Sequence, residues 1–207
     1  HRDLHSFPTR RSSDLGFSAF FNHLKFSRRV KNLDQLIFSR FNNKICSNVD
    51  IISIIKEYPL ELAYSLALIG TNDVSSLMPA WVLNNFSRVE DIMIKLRSTP
   101  CHFGCDYCNH SLDPKNALMK YFTYSSFKEF NGSPLQERAV KAALKNESFV
   151  VIFPTGGGKS LTYQLPAIMS MENTRVLTVI ISPLQSLMKD QVDNLESKNI
   201  VSSVTIK

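Results

Sequence analysis

The sequence predicts an α/β protein. A parallel-sheet domain spans residues 118–207. A mostly α-helical region over 16–100 and a small Cys-rich loop of metal-binding type over 101–117 precede it. Three observations predict this. The run from Phe149 to Ser160 reads strand, glycine loop, helix. The stretch from there to Ile206 alternates strand and helix, which implies a doubly wound sheet with right-handed crossovers. Upstream, apolar residues recur at helical rather than strand spacing.

Residues 1–15, HRDLHSFPTRRSSDL, read as the translation of a sequencing-library adapter and contribute nothing to the expected fold. Phe17, Phe20, Phe21, Leu24 and Phe26 then recur at roughly helical spacing, followed by the basic patch Lys25 to Lys31. Leu33, Leu36, Ile37 and Phe41 continue the amphipathic pattern. Asp50 is placed to cap a helix carrying Ile51, Ile52, Ile54 and Ile55, which Pro59 ends. Glu61 to Ile69 reads as another helix, stopped by Gly70-Thr-Asn-Asp73. Ser87 to Glu90 forms a possible capping box for a helix through Arg97, with Val89, Ile92, Ile94 and Leu96 partly buried. The basic residues here are best read as solvated helix faces.

Cys101, Cys105 and Cys108 follow at C-x-x-x-C-x-x-C spacing, with His110 as a fourth donor. Thiolate and imidazole ligands suit tetrahedral Zn²⁺, which would staple a loop with little core of its own. An iron–sulfur cluster with one open iron is the rival reading; three unligated thiols are the plain one. Cys46 stands alone and reads as a small buried hydrophobe. The clustering of three of the four cysteines points to a reducing compartment, not a disulfide scaffold.

Asp113-Pro114 starts a helix through about Tyr121. Ser133-Pro-Leu-Gln136 leads into another, to about Lys145, with Gln136 placed either in a capping box or to pair with an adenine edge. Phe149 to Phe153 is the expected buried strand. Thr155, Gly156, Gly157 and Gly158 form the loop whose backbone N–H groups make an anion nest at a helix N-terminus. Lys159 is placed to reach β- and γ-phosphates, and the Ser160 hydroxyl to bind Mg²⁺. Val176 to Ile181 is a second expected strand. Ser182-Pro183 caps a helix from Leu184 to about Lys198, and Val201 to Ile206 is a third strand.

The net charge of +6 suits a polyanionic partner. No apolar run reaches membrane-spanning length, and no signal peptide is visible, so no membrane partner is expected. The chain begins without Met and stops at Lys207, directly after an expected strand. Both ends read as breaks in a longer protein.

From about Leu118 to Lys207 the chain resembles the first RecA-like domain of RecQ-type superfamily 2 DNA helicases. Pro154-Thr-Gly-Gly-Gly-Lys-Ser-Leu-Thr-Tyr-Gln-Leu-Pro166 is similar to motif I of that family, with Phe153 where other phosphate loops carry Gly. Ser182-Pro-Leu-Gln-Ser-Leu-Met-Lys-Asp-Gln-Val192 is similar to motif Ia. Phe127, Lys128 and Gln136 resemble motif 0, which contacts adenine. Here Glu129 to Leu135 lengthens the gap before the Gln, Lys128 stands where Arg is usual, and Phe130 is a rival for the stacking ring.

The resemblance implies a fragment of an ATP-dependent DNA helicase with ATP and Mg²⁺ as cofactors and single-stranded and duplex DNA as partners. It implies 3′→5′ unwinding and a cytoplasmic, nucleoid-associated location in a bacterium. Lys159 and Ser160 would be the catalytic pair. Ser182, the backbone near Leu184 and Lys189 would hold the DNA backbone. The acidic Asp-Glu box and second RecA-like domain lie outside these residues, so the fragment alone is expected to bind nucleotide weakly and not to unwind DNA. Two other functions fit the residues: a different P-loop DNA translocase, and a non-catalytic zinc-containing nucleic-acid-binding module. The Cys-rich loop precedes the nucleotide domain, a position the resemblance does not explain. No protein partner is indicated.

Overall fold

The computed structural model describes residues 32–70, 80–102 and 104–200. The Phe-rich segment and basic patch before Asn32, and the strand expected at Val201 to Ile206, lie outside the described residues. The chain divides into two compact units, His1–Cys108 and Asn109–Lys207.

Among its described residues, the first unit is helical. Its helices are α1 (Leu33–Arg40), α2 (Ile51–Glu57), α3 (Pro59–Gly70), α4 (Ala80–Asn85) and α5 (Arg88–Arg97); α6 (Asp106–Ser111) carries the division between units. Asp50 caps α2 as the sequence predicts, its carboxylate accepting from the Ser53 N–H at 3.1 Å. Helix α3 is apolar nearly all round, and so is central. Leu62, Ala63, Ser65 and Leu66 on it are fully buried, and the Ser65 hydroxyl is satisfied by the Glu61 carbonyl at 2.8 Å. The α3 helix packs on α2 and α5. Ile37, Phe41, Ile51, Leu66, Ile92, Met93 and Leu96 share the core. The capping box expected at Ser87 to Glu90 does not form: Ser87 is already helical and makes no side-chain cap. Ile94 faces solvent, and Met93 takes the core position.

The second unit holds α7 (Pro114–Phe122), α8 (Leu135–Leu144), α9 (Leu161–Thr174) and α10 (Gln185–Glu196). Asp113 caps α7 by accepting from the Lys115 N–H at 3.0 Å, and Pro114 fills the first turn, where no N–H is needed. Helix α9 packs on α8 and α7. Leu118, Val140, Leu161, Leu165 and Met169 form the centre of the core, joined by Phe122, Phe127 and Leu195. Glu172 ties α9 to α7, accepting from Lys120 Nζ at 2.6 Å and from the Tyr121 hydroxyl.

The described residues contain no strand, only an isolated bridge between Phe130 and Ser133. The segments expected as strands, 149–153 and 176–181, have no ladder partner. Most of their apolar side chains face solvent, Val150 and Ile152 at 87% and Ile181 at 93% exposure, although Phe153 is buried. The reason is physical. A helix satisfies its own backbone, whereas a strand needs a neighbour to take its N–H and C=O groups, and neither segment has one among the described residues. No parallel sheet forms among the described residues, whose regular elements are all helices.

Candidate functional site

The phosphate loop turns where its glycines permit. Gly156 and Gly158 adopt left-handed φ of 75° and 74°. Gly157 has an ordinary φ but no room: a Cβ there would lie 2.9 Å from both Phe153 Cβ and the Pro154 carbonyl. A Cβ on Gly158 would meet Gln136 Nε2 at 2.4 Å. The Gly157 N–H closes the turn on the Pro154 carbonyl at 3.0 Å. Among the described residues no carbonyl accepts from the N–H of Gly158, Lys159 or Ser160, which lead into the N-terminus of α9. Ser160 makes no side-chain cap there, and Lys159 is exposed. Donors without acceptors, a helix N-terminus and an exposed ammonium together fit a polyphosphate.

The segment before α8 holds this loop from the other side. Gln136 is 2% exposed. Its Oε1 accepts from the Lys128 N–H at 2.8 Å, and its Nε2 donates to the Gly158 carbonyl at 3.0 Å. Lys128 Nζ donates to the Gly156 carbonyl at 2.9 Å. These tertiary partners outcompete the capping box expected at Ser133 to Gln136; the N-cap of α8 is Pro134, with no side-chain cap. The long gap of this motif, Glu129 to Leu135, is absorbed locally. Phe130 and Ser133 exchange two backbone hydrogen bonds of 2.9 Å, and between them Asn131 and Gly132 have φ of 51° and 74°. Two central residues with positive φ mark a type I′ hairpin turn, for which Asn-Gly is the favoured pair.

The rings sort differently from expectation. Phe127 is buried in the core of the unit. Phe130 stacks on Phe153 at 4.5 Å beneath the loop. Tyr124, half exposed, lies instead on a cleft of about 520 Å³ lined also by Lys128, Gln136, Gly158, Ser160, Gln164 and Lys198. The Lys198 ammonium stands 5.8 Å from the Tyr124 ring. The sequence reading missed Tyr124; its place two residues after Phe122 and just before the Lys128–Gln136 segment was the available signal.

The residues expected to hold DNA lie at the start of α10. Ser182 Oγ is 3.5 Å from the Leu184 N–H, at the limit of a hydrogen bond, and Leu184 rather than Ser182 is the N-cap. Leu184 and Lys189 are exposed. Ser182 and Leu184 are thus close, with Lys189 on the second turn of the helix.

In the first unit, the sulfurs of Cys46, Cys101, Cys105 and Cys108 all lie within 4.8 Å of one another, and all four are free thiols. His110, expected as the fourth donor, is not in this group. It sits two residues after Cys108 on α6 and is exposed, and residues two apart on a helix face different ways. Cys46 is buried, as expected of a small hydrophobe, but it is not isolated. Cys101 Sγ accepts from the Cys105 N–H at 3.3 Å and from Asn48 Nδ2 at 3.2 Å. These donors bring its pKa down to about 6. Burial pushes the Cys46 and Cys108 thiols up.

Residues 133–207 match the family model described as DEAD/DEAH box helicase. Among curated relatives, the ATP-dependent helicase SGS1 of Saccharomyces cerevisiae is 48% identical over 84 residues, which is 41% of this chain and 6% of that protein. The ATP-dependent DNA helicase Q5 of Rattus norvegicus is 43% identical over 95 residues, 45% of this chain and 9% of the relative. The ATP-dependent DNA helicase RecQ of Bacillus subtilis is 48% identical over 86 residues, 42% of this chain and 13% of the relative. The chain thus spans a small part of the length of these proteins. No solved structure matches it. Residues 133–207 are thus similar to DEAD/DEAH box helicases, and the relatives that part of the chain matches carry the names of ATP-dependent helicases.

Proposed function

We propose that this chain is the nucleotide-binding portion of a RecQ-like ATP-dependent DNA helicase that unwinds in the 3′→5′ direction. One observation carries the reading: the row of N–H groups at Gly158, Lys159 and Ser160, without acceptors among the described residues, beside the ammonium of Lys159. ATP with Mg²⁺ supplies the phosphoryl group whose hydrolysis drives the motor. Thr155, Gly156, Gly157 and Gly158 cradle the phosphates, Lys159 neutralises them, and the Ser160 hydroxyl takes the metal ion. A glutamine amide has two N–H donors and two lone pairs on oxygen. Gln136 uses one of each on the protein and keeps one of each for an adenine edge, with Tyr124 as the stacking ring.

The segments 149–153 and 176–181 are strands of a RecA-like sheet in this reading, which is supported by their β-branched, apolar composition. Ser182, Leu184 and Lys189 then lie after a strand's carboxyl end, where parallel sheets bind ligands, and grip the DNA backbone without reading sequence.

The test is a titration of the chain with a fluorescent ATP analogue and Mg²⁺. Lys159→Ala removes a charge-assisted contact of about 1.5–3 kcal/mol and is expected to weaken binding roughly 10- to 100-fold. Equal affinity of the two proteins would sink the assignment of the loop.

A further inference from the structure

The cysteines do more than the local C-x-x-x-C-x-x-C spacing suggests. From the convergence of four sulfurs drawn from two distant segments, we infer that Cys46, Cys101, Cys105 and Cys108 form a closed, single-ion tetrathiolate site for Zn²⁺, with Cys46 in the place the sequence assigned to His110.

The geometry selects a single ion. A tetrahedral site with Zn–S bonds of about 2.3 Å sets its sulfurs about 3.8 Å apart. Here every pair lies within 4.8 Å, and the Cys46 and Cys105 sulfurs are 3.9 Å apart. An iron–sulfur cubane interposes its own iron and sulfide between the thiolates and spreads them wider than one ion does. The count of ligands is the second argument. Four protein thiolates leave no open position for a substrate or water, which is the pattern of a structural rather than a catalytic site. The open-iron reading of three cysteines fails for the same reason: Cys46 fills the fourth corner.

The surroundings are those of bound thiolates. Metal-bound sulfur carries excess negative charge, which N–H donors offset. Cys101 receives two, from the Cys105 backbone and the Asn48 side chain. Cys46 is held independently of any metal, its own N–H donating to the Leu96 carbonyl at 2.9 Å at the end of α5. Tyr107, between two of the ligands, donates its hydroxyl to the Arg97 carbonyl at 2.9 Å. Both sides of the site are thereby anchored to the same helix end. The ion would join the loop after α1 to the segment after α5, so that both ends of the described helical unit close at one point.

The test uses the full 207-residue chain, purified under reducing conditions and analysed for metal, then loaded with Co²⁺ in place of Zn²⁺. The expected result is one zinc per chain and a cobalt spectrum whose sulfur-to-metal absorption reports four thiolates. Loss of an outer-shell partner alone costs a metal site roughly 10- to 100-fold in affinity, so Cys46→Ser is expected to weaken Zn²⁺ binding at least about tenfold, and His110→Ala to leave it unchanged. A spectrum of three thiolates and one nitrogen overturns the inference. So does weakening by His110→Ala with none by Cys46→Ser, an iron–sulfur chromophore, or absence of tight metal. Where Cys46→Ser does not fold, the wild-type cobalt spectrum decides, and Cys46→His should retain the metal with a spectrum shifted towards three thiolates. All these readouts are independent of nucleotide binding.

Discussion

The two units of this chain use similar apolar content in opposite ways. The helical unit completes its core among its own helices: α3 packs on α2 and α5, and Leu62, Leu66, Met93 and Leu96 are fully buried. The nucleotide-loop unit buries the faces of α7, α8 and α9 but leaves Val150, Ile152, Leu177, Val179 and Ile181 largely in solvent. The difference lies in where backbone hydrogen bonds go. A helix closes them within itself, so an amphipathic helix needs only one apolar neighbour. A strand closes them only against another strand, so its side chains stay unburied until that partner is in place.

Mutations can break or sharpen this contrast. The largest effect is expected in the finished core. Leu66→Ala should cost about 2–5 kcal/mol, read as a lower urea midpoint for the helical unit; a loss below about 1 kcal/mol would mean that this core is loosely packed in solution. Next is the loop. Gly158→Ala places a side chain at left-handed φ and against Gln136 Nε2. It should cost about 1–3 kcal/mol and reduce nucleotide affinity in the same titration used for Lys159→Ala; a variant of wild-type stability and affinity would show that the loop adopts another shape. Asp113→Ala removes the cap of α7 and should cost about 1 kcal/mol, seen as a lower thermal midpoint of the second unit. The smallest effect is expected where the apolar residues stand in water. Ile152→Ser should change the stability of this chain by less than about 0.5 kcal/mol. A cost of 2 kcal/mol or more would show that the segment packs in a sheet after all, and the contrast between the units would disappear.

What was legible in the sequence follows the same division. The caps at Asp50 and Asp113 and the helices they open were readable because a cap is decided within three residues. The phosphate loop was readable because its glycines, Lys159 and Ser160 are contiguous. The capping box at Ser87 fails locally, because Ser87 itself joins the helical backbone, whereas the choice between a cap and a tertiary role for Gln136 was decided by its distant partners Lys128 and Gly158. Cys46 was illegible as a partner of Cys105 because 59 positions separate them and only the fold of the helical unit closes that distance. The rings around motif 0 could not be sorted between core and cleft from pattern alone, because that depends on which face α7 and α8 leave open. That leaves Phe127 inside and Tyr124 at the surface. The segments expected as strands stand out as apolar runs, but pattern alone does not supply a pairing partner.

The Asn131-Gly132 turn has one further consequence. Its two hydrogen bonds join Phe130 to Ser133, so the excursion returns close to where it left, and Lys128 stays within 2.8 Å of the Gln136 side chain. A self-closed detour of this kind separates chain length from geometry. Residues can be gained or lost at its tip while the anchor points on either side keep their spacing. The segment is therefore the natural place in this half of the chain to graft a peptide tag or a reporter without disturbing the loop it flanks.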